Sequence, residues 1–261
     1  MRPWILAETN YGFVKNHHYE VAVLPMGATE PHNLHLPYGT DTLESEVIGG
    51  LACEAAFGRG ARAVLLPAIP YGTETNQSAF HLSMNLNPST LGQVITDLVA
   101  SLVNHGIHKI VILNSHGGND FKPLLRELHG TTPAHLFLCD WFRGISADLQ
   151  KEIFDEAGDH AGEMETAIGL AYFAELVDTD PTTGEIQADD GAVNPTRFEA
   201  INRGWVSITR RWDLLTSNTG SGNPHPATAD KGRRFVEGVV ERLADFLVEL
   251  AESETDAQFP F

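Results

Sequence analysis

Three short apolar runs, residues 21–25 (VAVLP), 63–69 (AVLLPAI) and 109–113 (KIVIL), alternate along the chain with helical patterns, and that alternation leaves few architectures open. Runs with no polar residue every second position suit strands buried on both faces. Residues 134–139 (AHLFLC) are a weaker fourth. The first helical pattern covers residues 42–57 and ends before Gly58. The second is marked by Leu91, Val94, Ile95, Leu98 and Leu102; Asn87 can cap it, Pro88 suits its first position and Gly106 can close it. Residues 121–129 make a third, and Met164, Ala167, Ile168, Ala171 and Tyr172 mark a fourth. A long C-terminal helix follows from the stripe of Phe235, Val236, Val239, Val240, Leu243, Phe246, Leu247 and Leu250. The expected class is α/β, with a mainly parallel central sheet between two helical layers.

The 261 residues fit one large domain, 1–261, with no internal repeat and no linker. Residues 177–230 break the rhythm with Gly, Pro, Asn and Thr and a few β-type residues (Trp205, Val206, Ile208), and read as an irregular excursion, a hairpin or an oligomer contact. A net charge of −18 argues against nucleic acid or an anionic membrane as partner, because phosphate binding needs clustered Lys and Arg. Cys53 and Cys139 lie far apart and form no CxxC motif, so a reducing interior is expected. Without a secretory signal or a membrane-length apolar run, the expectation is a cytoplasmic protein.

In an open parallel sheet, ligands gather beyond the carboxyl ends of the strands, and polar clusters follow each apolar run here. After the first come Glu30, His32, His35 and Asp41 within twelve residues; after the second, Pro70 through Asn76; after the third, Asn114-Ser115-His116-Gly117-Gly118-Asn119; after the fourth, Asp140-Trp141-Phe142. Taken singly, an Asp before a helix is an N-cap and a His near a strand end is a hydrogen-bonded, partly buried residue. As a group, imidazoles and carboxylates so close together call for a cation. An extended Glu30-Pro31-His32 would turn both side chains to one side, and Asp41 could return to the same place after the Pro-Tyr-Gly-Thr bend. Gly117 and Gly118 permit close backbone approach to a ligand and leave amides free for an oxyanion.

A further cluster, Gly158 through Thr166, enters the fourth helix. Glu163 and Glu165 lie roughly 200° apart on a helix, so only one can face a shared site, and the pattern does not say which. His160 could shuttle protons. No GxSxG elbow or Gly-rich phosphate loop is present, and neither cysteine has a persuasive partner.

These clusters, in this order, resemble the creatininase (creatinine amidohydrolase) family. A pattern like P-x-G-[ST]-x-E-x-H-G-x-H-L-P-x-x-T-D is followed from Pro25 to Asp41 except at Ala28 and Asn33, N-x-H-G-G-N is matched by Asn114 to Asn119, and H-A-G-x-x-E-T by His160 to Thr166. The resemblance covers about residues 21–173. It implies a three-layer α/β/α fold, a homo-oligomer that is often a hexamer, and two divalent metal ions per subunit, zinc ahead of manganese or iron. The implied ligands are Glu30, His32, Asp41 (bridging), His116 and Glu165, with Glu163 on a variable position and His35 in a supporting role. Three departures stand out. Gly117-Gly118 replaces a Tyr-Glu pair found in creatininase proper, which removes a ligand and shifts its burden to Glu165. Asn33 replaces a Gly after His32, and residues 80–90 (FHLSMNLNPST) replace an F-P-G-T-like segment expected to be substrate wall.

The resulting expectation is an amidohydrolase acting on a C–N bond of a cyclic amide or related small molecule, through a metal-bridging hydroxide, with His160 protonating the leaving nitrogen. Catalysis would rest on His160 and Glu165. An alternative is a hydrolase or isomerase of an inosose-like cyclic keto-sugar, which Asn76, Gln77, His81 and Asn85 could bind. A second alternative is a noncatalytic metal-binding oligomer, which would have no pocket beside the metals.

Overall fold

A computed structural model describes residues 1–261. After a short helix α1 (Tyr11–Val14), the order is β1 (Val21–Met26), α2 (Thr40–Gly58), β2 (Ala63–Leu65), α3 (Pro88–Asn104), β3 (Lys109–Asn114), α4 (Lys122–Leu128), β4 (His135–Asp140), α5 (Ala147–Ile153) and α6 (Glu163–Tyr172). Two single-turn helices, α7 (Glu199–Asn202) and α8 (Trp212–Leu215), precede the long α9 (Ala229–Glu252). The four strands pair in parallel in the order β2-β1-β3-β4.

Both central strands are buried along their whole length, as unbroken apolar runs require. Successive side chains alternate between two layers. Val21, Val23, Val111 and Leu113 pack toward α2, α6 and α9, whereas Ala22, Leu24, Ile110 and Ile112 pack toward α3 and α4. This is the expected α/β/α sandwich. The second strand is shorter than its apolar run because Pro67 has no N–H for the ladder, although Ile69 rejoins beside Met26 as a bridge.

Helix α3 starts at Pro88 as expected, with Leu91 N–H bonding the Asn87 carbonyl rather than the Asn87 side chain forming a cap. It closes through Gly106 at φ +78°. Helix α9 is capped by the Thr228 side chain, which accepts from Lys231 N. Residues 177–230 form no hairpin of named strands; apart from α7 and α8 they are loops bridged to one another at Thr179–Ile186, Gly191–Gly222 and Val193–Thr216, and to the approach of α6 at His160–Ser221.

Candidate metal centre

Because all four strands run the same way, their carboxyl ends share one rim. The loop after β1 carries Glu30 and His32, and the first turn of α2 carries Asp41. His116 lies two residues past β3, while His160 and Glu165 flank the start of α6. All six are buried. Gly27 makes the first of these approaches possible, since a Cβ there would sit 2.3 Å from Thr42 Oγ1.

Asp41 turns one oxygen to each of two histidines: Oδ1 lies 3.3 Å from His32 Nε2 and Oδ2 3.1 Å from His116 Nδ1. Glu30 Oε1 is 2.9 Å from the same His116 Nδ1 and 3.9 Å from His160 Nδ1. Donor atoms of His32, Asp41 and Glu165 lie within 4.8 Å of one another, as do those of Glu30, His32 and His160, and those of Glu30, Glu74 and His116.

The three imidazoles divide their nitrogens alike. His32 Nδ1 lies 3.1 Å from the Glu30 carbonyl, His160 Nε2 2.9 Å from that of Pro31, and His116 Nε2 3.2 Å from that of Thr73. A ring N–H given to a carbonyl leaves the other nitrogen facing the carboxylates, able to offer its lone pair to a cation that displaces its proton. The asparagines of the β3 loop build this posture. Asn114 Oδ1 accepts from His116 N (3.2 Å) and from Asn119 Nδ2 (3.1 Å), and Asn119 Oδ1 accepts from Thr73 N (3.0 Å).

Charge in the cluster is strongly perturbed. Burial pushes Glu30 well above the usual carboxylate range and Glu165 up to about 7. For Asp41, burial acts upward, but His32 and His116 outweigh it and hold the carboxyl well below its ordinary value. His32 and His116 are raised, burial being overcome by Asp41 and Glu30 respectively. His160 is lowered to about 3 by burial and the neighbouring His32.

The donor set fits divalent cations. Glu30 and Asp41 form ion pairs with histidines alone, and His32 Nε2 and Asp41 Oδ2 are buried without a hydrogen-bond partner. Oxygen and imidazole donors without a thiolate suit zinc, manganese or iron. A cavity of about 640 Å³ opens beside them. Gly117 and Gly118 line it, and neither amide donates a hydrogen bond within the chain. The excursion supplies the opposite wall through Ile208, Thr209, Arg210 and Trp212.

Several residues fall elsewhere. Glu163 faces away and is fully buried, pairing with Lys231 of α9 and accepting from Glu156 N at 3.0 Å. His35 hydrogen-bonds Thr166 Oγ1 through Nε2 at 2.8 Å, joining the first cluster to α6. Of residues 80–90, only Pro88 lines the cavity. Asn76 and Gln77 do line it, but Gln77 donates to Glu30 Oε2; His81 does not line it, and Asn85 accepts from Glu74 N at 2.8 Å. Sequence reasoning did not single out Glu44 and Glu74, both fully buried. Glu44 follows Asp41 by three residues and so shares its helix face, while Glu74 stood unremarked within the rim cluster after β2.

The family model for creatininase (creatinine amidohydrolase) matches residues 8–247. The chain belongs to the creatininase family. The match extends well past the three motifs at both ends. Among curated relatives, the mycofactocin precursor peptide peptidase of Mycobacterium ulcerans is 27% identical over 232 residues, 85% of this chain and 84% of that protein. Creatinine amidohydrolase of Pseudomonas putida is 25% identical over 88% of this chain and 89% of its own. The 3-dehydro-scyllo-inosose hydrolase of Thermotoga maritima is 25% identical over 62% of this chain and 55% of its own. A crystal structure of a Bacteroides fragilis protein assigned as a creatinine amidohydrolase superposes with a TM-score of 0.89 at 35% identity, covering 98% of this chain and 99% of that one. A manganese form of creatininase shares the fold at a TM-score of 0.73 and 19% identity, over 96% and 99% of the two chains.

Creatininase-family relatives are thus named for hydrolysis of a peptide, of creatinine and of a keto-sugar. Within this creatininase fold, Asn33 adopts φ +54°, a left-handed conformation that Asn tolerates better than other non-glycine residues. Its N–H bonds Thr219 Oγ1 (2.8 Å) and its Nδ2 bonds the Asp189 carbonyl (2.9 Å), stitching the ligand loop to the excursion.

Proposed function

We propose that this creatininase-family hydrolase cleaves a C–N bond in a cyclic amide or related small amide, using two divalent cations per subunit. The observation that carries the reading is Asp41, whose two oxygens face two histidines that have each committed their other nitrogen to a backbone carbonyl. Glu30, His32, Asp41, His116 and Glu165 would hold the cations, zinc ahead of manganese or iron, with Asp41 between them. Bound there, such ions supply Lewis acidity toward a carbonyl and a water activated near neutral pH.

The chain's own groups do the rest. The Gly117 and Gly118 amides stand free to receive an oxygen on which charge develops. Glu165, at the start of α6 beside His160, is the proposed acceptor of a proton from the attacking water. His160 is neutral, with Nε2 held by the Pro31 carbonyl, so its Nδ1 would relay the proton that Glu165 takes from the attacking water on to the leaving nitrogen. That order refines the simpler role of a standing acid.

The open cavity beside the cluster weighs against a closed, noncatalytic metal site. The keto-sugar reading keeps support from the inosose hydrolase relative and from polar lining groups such as Thr73, Thr75 and Asn76. The exposed apolar residues Phe198, Trp205, Val206 and Leu214 of the excursion favour a homo-oligomer, testable by light scattering. Two free cysteines fit a cytoplasmic setting. The deciding experiment is anaerobic purification with metal analysis, then assay against cyclic amides, formamides, short peptides and keto-inositols. Turnover of amides with bound metal is expected; turnover of keto-inositols alone would replace this reading by the second.

A further inference from the structure

Carboxylates line the cavity beside the metal centre, yet so do Arg143 and Arg210, its only lysine or arginine side chains. They reach it from different parts of the chain. Arg143 stands three residues past β4 on the strand rim, and Arg210 two residues before α8 in the excursion. Each guanidinium is steadied without being used up. Arg143 lies over the Phe142 ring, 5.2 Å from its centroid, and Arg210 over the Trp212 ring at 5.8 Å. A guanidinium stacked in this way keeps its N–H edge free for a planar anion.

An aspartate stands by each arginine, Asp140 Oδ2 at 3.5 Å from Arg143 Nη1 and Asp159 Oδ2 at 3.8 Å from Arg210 Nη2, but neither arginine side chain makes an aligned hydrogen bond within the chain. Arg242 shows what a spent fork looks like, with Nη1 and Nη2 each on Asp148 at 2.6 Å. The two aspartates also tie the arginines to the centre. Asp140 Oδ1 accepts at 2.8 Å from Asn114 Nδ2, whose Oδ1 accepts from His116 N, and Asp159 directly precedes His160. Trp212 meets the His160 ring edge-on, with centroids 4.8 Å apart. An anion held by these arginines would therefore share the cavity with an amide at the metal centre. Because the aspartates offset part of the positive charge, a singly charged carboxylate suits the pair better than a phosphate dianion.

We propose that Arg143 and Arg210 bind a carboxylate of the substrate, so that the amide cleaved here belongs to a molecule carrying a negative charge away from the scissile bond. The inference rests on the amide-hydrolase reading above. Its test compares succinamate, glutaramate and adipamate, each an amide with a carboxylate at its far end, with the corresponding diamides. The proteins are zinc-loaded wild type, Arg143→Gln, Arg210→Gln and the double variant; both side chains are half exposed, so their replacement should leave the fold intact. Ammonia release gives kcat/KM, and ligand-observed NMR gives Kd whether or not turnover occurs. At least one acid should bind the wild type about 10-fold more tightly than its diamide, the usual worth of a charged hydrogen-bonded pair. That ratio should fall toward one in the double variant at equal zinc content. Acids that bind no better than their diamides overturn the proposal. So does an acid preference that survives the double substitution, which would put the carboxylate on the metals instead. An arginine-dependent preference in Kd without hydrolysis of any acid or diamide would support the carboxylate site and remove the amide reading.

Discussion

His160 and Asp41 lie in the same buried cluster, yet their substitution should fail differently. Asp41 is the carboxylate that faces both His32 and His116, so Asp41→Ala should emerge from reconstitution without its full metal complement. His160 is held by the Pro31 carbonyl at the edge of the cluster, and His160→Ala should keep its metal while losing about 10²–10⁴-fold in turnover, the usual worth of a positioned proton carrier. Metal analysis beside steady-state assays separates the two, and a metal-replete, active Asp41→Ala would end the bridging role. His35 makes a prediction about pH. Burial lowers it to about 4, so the folded protein keeps it neutral while the unfolded chain takes up a proton below about 6.5. Stability from this residue is present above pH 6.5 and lost as pH falls toward 4, about 2–3 kcal/mol by pH 4.5. Urea midpoints of the metal-free protein should fall more steeply over that range than those of His35→Gln.

At this scale the sequence was informative where residue type and spacing coincide with a strand end, as for Glu30, His32 and His116. It was silent where membership depends on a contact made in space. Nothing near Glu74 in the chain announces His116, because 41 residues, a helix and a strand intervene. Helix spacing alone left Glu163 and Glu165 equal, the family resemblance favoured Glu165, and the fold turns Glu163 toward Lys231.

Among the elements, α6 and α9 cross closely enough that Gly232 has no room for a side chain: a Cβ would lie 2.0 Å from the Ala167 carbonyl. Gly232→Ala must push the helices apart and should destabilise by about 3 kcal/mol or more, measurable by urea unfolding. Nearby, Lys231→Met would leave Glu163 buried without its counter-charge and should cost about 3 kcal/mol as well. The strands were legible as unbroken apolar runs, and the helices by their 3.6 period, with stops at Pro88 and Gly106 for α3. The end of β2 was blurred by Pro67, which keeps the apolar composition of a strand while removing the hydrogen bond. The excursion was legible only as a break; that it furnishes a cavity wall follows from the Asn33 contacts, which no periodicity encodes.

For the whole molecule, cation binding and proton binding compete. His32 and His116 are raised, and Glu165 titrates near 7, so the metal-free centre holds protons that ligation must expel. Zinc affinity should therefore fall as pH drops below about 7, and calorimetry in two buffers of different ionisation enthalpy should show at least one proton released per ion. Chelation should lower Tm, since a ligand at about 1,000 times its Kd adds about 4 kcal/mol to stability.

The five proposed ligands come from four separate stretches of chain: the β1 loop, the start of α2, the β3 loop and the start of α6. An unfolded chain offers an incoming ion only Glu30, His32 and Asp41 in near sequence, a weak and floppy set. The proposed ligand set is therefore complete only once the sheet has closed, and ions should enter afterwards through the open cavity. Newly made protein should be native in shape before it is active, and the interval between the two is set by metal supply rather than by folding.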